Sequence, residues 1–66
     1  MKITINGQIK EIDGARNVAD IVGKFCKDGR NIMAEVNGTI IACGQWGTTP
    51  IKDGDTIELV AFVGGG

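Results

Sequence analysis

The spacing of apolar residues changes period once along this chain and then changes back, and that switch restricts the fold more than any other feature. From Asn17 onward, Val18, Ile21, Val22 and Phe25 fall at i, i+3, i+4 and i+7, one face of an α-helix. Asn17 is a suitable N-cap, and Asp20 lies in the first turn, where the macrodipole favours negative charge. Lys24 and Lys27 are near the other end, and Asp28-Gly29 supplies the stop. Gly23 inside the helix costs roughly 1 kcal/mol relative to alanine; a close approach of helix to sheet would account for it.

On either side of this segment the period is two. Ile3 and Ile5 alternate with Lys2, Thr4 and Asn6, and Asn6-Gly7 is a strong hairpin signal, because a type I′ turn needs φ > 0 at both central residues. The return strand should occupy Gln8 to Ile12, but Ile9 and Ile12 cannot share a face, which predicts a bulge or a strand that ends by Glu11. Ile32, Ala34 and Val36 alternate with Asn31, Met33 and Glu35, and Asn37-Gly38 repeats the hairpin signal before Thr39-Ile40-Ile41-Ala42. Cys43 to Pro50 is loop-like, and Lys52-Asp53-Gly54-Asp55 is a turn cluster. The last strand should run from Thr56 to Val63, with Ile57, Leu59, Ala61 and Val63 on one face and Glu58, Val60 and Phe62 on the other. Hairpin, helix, hairpin, strand is an α+β order, closed most simply by laying the last strand parallel to the first. The expectation is a β-grasp, or ubiquitin-like, fold: a mixed sheet of four to five strands with one main helix packed across it. Residues 1–63 would form a single domain and 64–66 a flexible glycine tail.

Composition excludes several functions. At 66 residues there is room for one domain. Seven basic and eight acidic residues give a net charge of -1, without the basic footprint of a nucleic-acid binder or a membrane-surface helix. The chain has no histidine, so imidazole catalysis and the commonest metal ligand are both absent. Two cysteines without CxxC spacing make neither a disulfide framework nor a zinc site. The start reads as a strand without a signal-peptide apolar core, so the expected compartment is the reducing cytoplasm.

Candidate chemistry within the domain is sparse. Cys26, at the edge of the helix stripe, reads as a small buried hydrophobe ahead of a reactive thiol. Cys43 is in or beside a loop with nothing basic close in sequence to activate it. Asp53 and Asp55 lack the further oxygen ligands of a calcium loop and read as a turn. Phosphate loops lead into a helix, whereas the glycine run here follows the last strand. The chain therefore reads as a non-enzyme with no bound cofactor and no metal.

Gly64, Gly65 and Gly66 remain. Three residues without Cβ atoms make a narrow string, and at about 3.3 Å each they reach roughly 10 Å beyond the sheet. Such a tail can enter a slot too tight for side chains and deliver a carboxylate to another protein's active site. With a pKa near 3.5 that carboxylate is ionised and a poor electrophile until activated, most simply by attack on ATP to form an acyl-adenylate. A sulfur nucleophile can then displace AMP and leave a thiocarboxylate on Gly66. By themselves, terminal glycines fit a frayed end equally well; the unbroken composition of the preceding strand favours function.

Val36-Asn37-Gly38, Trp46, Thr49-Pro50-Ile51, Asp53-Gly54-Asp55, Ile57-Glu58-Leu59-Val60 and Val63-Gly64-Gly65-Gly66, with the helix start Asn17-Val18-Ala19-Asp20, resemble the ThiS family of sulfur carriers in thiamine biosynthesis. The resemblance covers essentially the whole chain. It implies that Gly66 is adenylated by a ubiquitin-activating-enzyme-like adenylyltransferase that consumes ATP, and is then thiocarboxylated from a sulfur donor protein. The sulfur passes to a thiazole synthase, with Gly64 and Gly65 threading the partners' channels; the free carrier is expected to be monomeric. Ala42-Cys43-Gly44 departs from the family pattern, in which many relatives carry a proline and basic residues, and Cys43 inherits no role.

Strand parity alone turns Val60 and Phe62 outward just before the tail, which suits a docking surface, with Met33 extending it. Alternatively, the sheet curls and Phe62 closes the end of the core. Trp46 reads as a lid over the core ahead of a partner anchor. The other functional readings are a small subunit of molybdopterin synthase, which shares the fold and the Gly-Gly ending, and a β-grasp interaction module with an inert tail.

Overall fold

The computed structural model describes residues 1–26 and 31–62. In chain order the elements are β1 (Lys2–Ile5), β2 (Gln8–Glu11), α1 (Val18–Phe25), β3 (Ile32–Val36), β4 (Thr39–Ile41), a 3₁₀ segment (Cys43–Thr48) and β5 (Thr56–Ala61). The strands form one sheet in the order β2-β1-β5-β3-β4. The outer pairs are antiparallel hairpins, and β5 enters between them, parallel to β1 and antiparallel to β3. This is the β-grasp arrangement, with five strands.

Both hairpins turn where the Asn-Gly dipeptides stand. Ile5 pairs with Gln8 and Val36 with Thr39, leaving two-residue loops, and all four loop residues have positive φ. The two asparagines also reach β5. The Asn6 side chain accepts from the Leu59 N–H (2.8 Å) and donates to the Leu59 carbonyl (3.2 Å), adding a rung where β1 has ended. Asn37 accepts from the Thr56 N–H (2.9 Å) and donates to the Asp55 carboxylate (3.0 Å). Asp55 is buried, and its other oxygen accepts from the Lys52 N–H at 2.8 Å, while Asp53 accepts from the Lys2 N–H at 2.7 Å. These carboxylates are occupied in holding the turn, as the turn reading requires.

Of the two outcomes predicted for β2, the strand ends at Glu11 in regular register. Ile12 turns into the core, and Ile9 points away from the helix, 74% exposed. The core lies between α1 and one face of the sheet, where Ile3, Val18, Ile21 and Ile57 are almost completely covered. Asn17 caps α1 by accepting from the Asp20 N–H at 2.9 Å. Its amide also donates to the Gly47 carbonyl at 3.2 Å, which bolts the 3₁₀ segment to the start of the helix. Trp46 is buried and donates to the Ile41 carbonyl at 3.0 Å, so it is a lid. The stretch read as a loop from Cys43 to Pro50 thus contains 3₁₀ structure through Thr48.

Two expectations about the helix need correction. Phe25, assigned to the core face, is 41% exposed: it is the last residue of the eight-residue helix and borders an open groove together with Ile5, Ile32 and Leu59. Gly23 makes no close approach: a Cβ built on it would meet nothing within 4 Å. Gly23→Ala should therefore stabilise the fold by up to about 1 kcal/mol through helix propensity and a less flexible unfolded chain. Urea unfolding measures it; a lower midpoint would mean that the methyl group does meet a neighbour. Lys27 and the stop at Asp28-Gly29 lie outside the described residues.

Candidate functional site

The element that would present the tail is β5, and its two edges are held to different lengths. On the β1 side pairing runs through Ile57 and is extended by Asn6 to Leu59. On the β3 side it continues through Ala61 opposite Ile32, and the Phe62 N–H donates to the Asn31 carbonyl at 2.9 Å. The strand is thereby fixed to its last described residue. Val63, Gly64, Gly65 and Gly66, which include the predicted carrier terminus, lie outside the described residues.

Because Ile57 and Leu59 point into the core, alternation sends Glu58, Val60 and Phe62 to the opposite, uncovered face. Val60 is 44% and Phe62 51% exposed, so Phe62 does not close the core among the described residues. Met33 stands directly across from Val60 on β3 and is half-buried. The three residues singled out for docking are therefore gathered on one sheet face at the end of β5. Sequence reasoning missed a fourth, Ile40, which is 62% exposed on β4 opposite Glu35. The signal was available: a two-residue Asn-Gly turn places Thr39 opposite Val36, so Ile40 must share the face of Glu35.

The opposite side of the sheet carries a groove of about 300 Å³ beyond the end of α1, lined by Ile5, Phe25, Cys26, Ile32, Leu59 and Ala61. Cys26 is half-buried against the core and Cys43 is exposed; neither is in a disulfide. Among the described residues no helix is long and apolar enough to cross a membrane.

Residues 3–66 match the ThiS family. The chain belongs to that family. It is similar over its whole length to the crystal structure of the thiamine biosynthesis protein ThiS from Geobacter metallireducens, with a TM-score of 0.85, 32% identity and all of that chain covered. A solution structure of a thiamine biosynthesis protein from the same organism gives a TM-score of 0.80 at 32% identity, covering 88% of that chain. The chain is also 33% identical over 66 residues to a thiazole synthase of Paramagnetospirillum magneticum, and spans 20% of that protein's length.

Proposed function

We propose that the chain is a sulfur carrier of thiamine biosynthesis, a co-substrate of other enzymes. The observation that carries this reading is the family match, which runs unbroken through the terminal glycines to residue 66. The Gly66 carboxylate attacks the α-phosphorus of ATP on a ubiquitin-activating-enzyme-like adenylyltransferase, and pyrophosphate leaves. A sulfur nucleophile derived from a sulfur donor protein then displaces AMP, and the resulting thiocarboxylate supplies the thiazole ring. Gly64 and Gly65 pass through the partners' channels because they carry no side chain to obstruct them. A thiazole synthase that contains a stretch similar to this chain supports thiazole synthase as the acceptor.

Intact mass spectrometry tests the reading. After incubation with the adenylyltransferase, ATP and a sulfur donor, one oxygen at the C-terminus should be replaced by sulfur. Thiazole synthase, and not the large subunit of molybdopterin synthase, should then consume the product. No mass change under these conditions would rule the carrier role out.

Docking through Val60, Phe62 and Met33 brings the tail to the adenylyltransferase. Phe62→Ala should weaken that complex by roughly 10- to 100-fold, as an exposed aromatic anchor does. The half-exposed ring should contribute no more than about 0.5 kcal/mol to stability. Titration calorimetry and urea unfolding of the same variant separate the two effects; unchanged affinity removes Phe62 from the docking surface.

A further inference from the structure

β1 ends too early to hold β5 along its length, and a side chain continues the ladder. In the parallel pair the Thr4 N–H donates to the Asp55 carbonyl at 2.9 Å and the Asn6 N–H to the Ile57 carbonyl at 3.0 Å. Had β1 run on, the Leu59 N–H would donate to the Asn6 backbone carbonyl, and the Leu59 carbonyl would accept from the N–H of residue 8. The Asn6-Gly7 turn instead carries the backbone away into β2, where Gln8 pairs with Ile5. The Asn6 carboxamide fills both places: its oxygen accepts from the Leu59 N–H at 2.8 Å, and its nitrogen donates to the Leu59 carbonyl at 3.2 Å. A primary amide has both the acceptor and the donor of a peptide unit. The turn needs only a residue that tolerates positive φ, which aspartate and glycine also do. The two bonds to Leu59 require asparagine.

We propose that Asn6 is a positioning residue for activation of the carrier terminus: through Leu59 it sets the direction in which β5 hands the chain on to Val63. This rests on the proposed carrier function. On its β3 side β5 is held through Ala61 and Phe62; on its β1 side, past Ile57, the described bonds are those of Asn6. Without them the end of β5 hangs from β3 alone, and strands paired in twos twist more than strands held on both edges. Only Val63, Gly64, Gly65 and Gly66 follow Phe62, so the reacting carboxylate stays within about 13 Å of the strand. A change of direction at the base is carried to that carboxylate, and small displacements of a reacting group slow its reaction. Met33, Val60 and Phe62 lie on β3 and at the end of β5, not on β1, so docking itself does not depend on Asn6. Asn37 provides an internal comparison. It stands in the same kind of turn, but its side chain bonds Thr56, the first residue of β5, at the end away from Val63.

The experiment follows single-turnover pyrophosphate release by the purified adenylyltransferase as the concentration of complete carrier is varied. It compares the parent with Asn6→Gly, and uses Asn37→Gly and Trp46→Phe as destabilised controls. Glycine adopts the left-handed φ of 50° at Asn6 and 51° at Asn37, so each turn is kept and only the carboxamide is lost. Asn6→Gly should lower the saturating rate on the order of tenfold, with the half-saturating concentration within about twofold of the parent's. Its Leu59 amide should also exchange hydrogen faster. Asn37→Gly takes a donor from the buried Asp55 carboxylate, so it should lower the urea midpoint at least as much as Asn6→Gly. Both controls should nevertheless keep the parent's saturating rate. A rate that follows stability through all the variants marks a structural role and overturns the inference. So do a parent-like rate for Asn6→Gly, a loss confined to the half-saturating concentration, unchanged exchange at Leu59, or failure of Asn6→Gly to fold. In each of these cases the carrier function stands as long as the parent releases pyrophosphate. If the parent releases none, the carrier function and the inference fall together.

Discussion

Gly65→Val should lower sulfur transfer on the order of 100-fold, the scale of loss when a reacting group is held out of position, and should leave the urea midpoint of the chain unchanged. Valine adds a branched side chain to a segment whose proposed task is to pass through a channel shaped for bare backbone, and it stiffens the local backbone. In the proposed mechanism the Gly66 carboxylate then fails to reach the α-phosphorus of ATP in the adenylyltransferase. Removing Gly65 and Gly66 together should abolish transfer, because no acyl group remains at the required reach. The fold should persist in both variants, since the described hydrogen bonds of β5 are complete by Phe62. Single-turnover transfer assays and urea unfolding of each variant provide the comparison. Full transfer by Gly65→Val would contradict a narrow channel, and unfolding at a much lower urea concentration would contradict a tail that is independent of the core.

Trp46→Ala should remove most of the folding stability. Truncating a buried tryptophan costs about 3–5 kcal/mol, and a chain this short has a total of only about 3–10 kcal/mol. The indole is 7% exposed, and its N–H satisfies the Ile41 carbonyl, so the substitution opens a cavity and strands an acceptor together. Trp46→Phe keeps most of the apolar contact and loses the hydrogen bond, and should cost about 1–2 kcal/mol. Far-ultraviolet circular dichroism against urea is the appropriate probe, because Trp46 is the sole tryptophan and its fluorescence disappears with it. A Trp46→Ala midpoint close to that of the parent would mean that the 3₁₀ segment is not an integral part of the core.

The two sets of variants separate the folded domain from the proposed carrier tail. Trp46 holds the loop that, through Asn17 and Gly47, fixes the start of α1 and hence the core beneath β5. Gly64, Gly65 and Gly66 follow β5 in the chain and lie outside the described residues.

Much of the fold was legible in short-range patterns. Asn6-Gly7 and Asn37-Gly38 specify their turns through the backbone conformation that those residues tolerate, and the registers Ile5–Gln8 and Val36–Thr39 follow. Asn17 capped the helix where its hydrogen-bonding chemistry indicated. The outward placement of Val60 and Phe62 follows from parity with Ile57 and Leu59, because a strand alternates faces without reference to the rest of the chain.

Other features were decided only by the assembled structure, since they depend on groups distant in sequence. The Asn6 amide binds Leu59, 53 residues away, and no local pattern marks that second role. Phe25 satisfied the helical period yet is 41% exposed beside an open groove, because burial depends on what packs over a position rather than on the period itself. Gly23 suggested crowding where the fold left space. Glu35 and Glu58 became neighbours only when β5 was inserted beside β3. Strands, the main helix, the two Asn-Gly turns and the alternation of faces could be read locally, because torsional preference and side-chain period act over a few residues, whereas the 3₁₀ segment could not. Tertiary structure decided which faces are covered and which charges meet, because those outcomes depend on the arrangement of strands far apart in the chain.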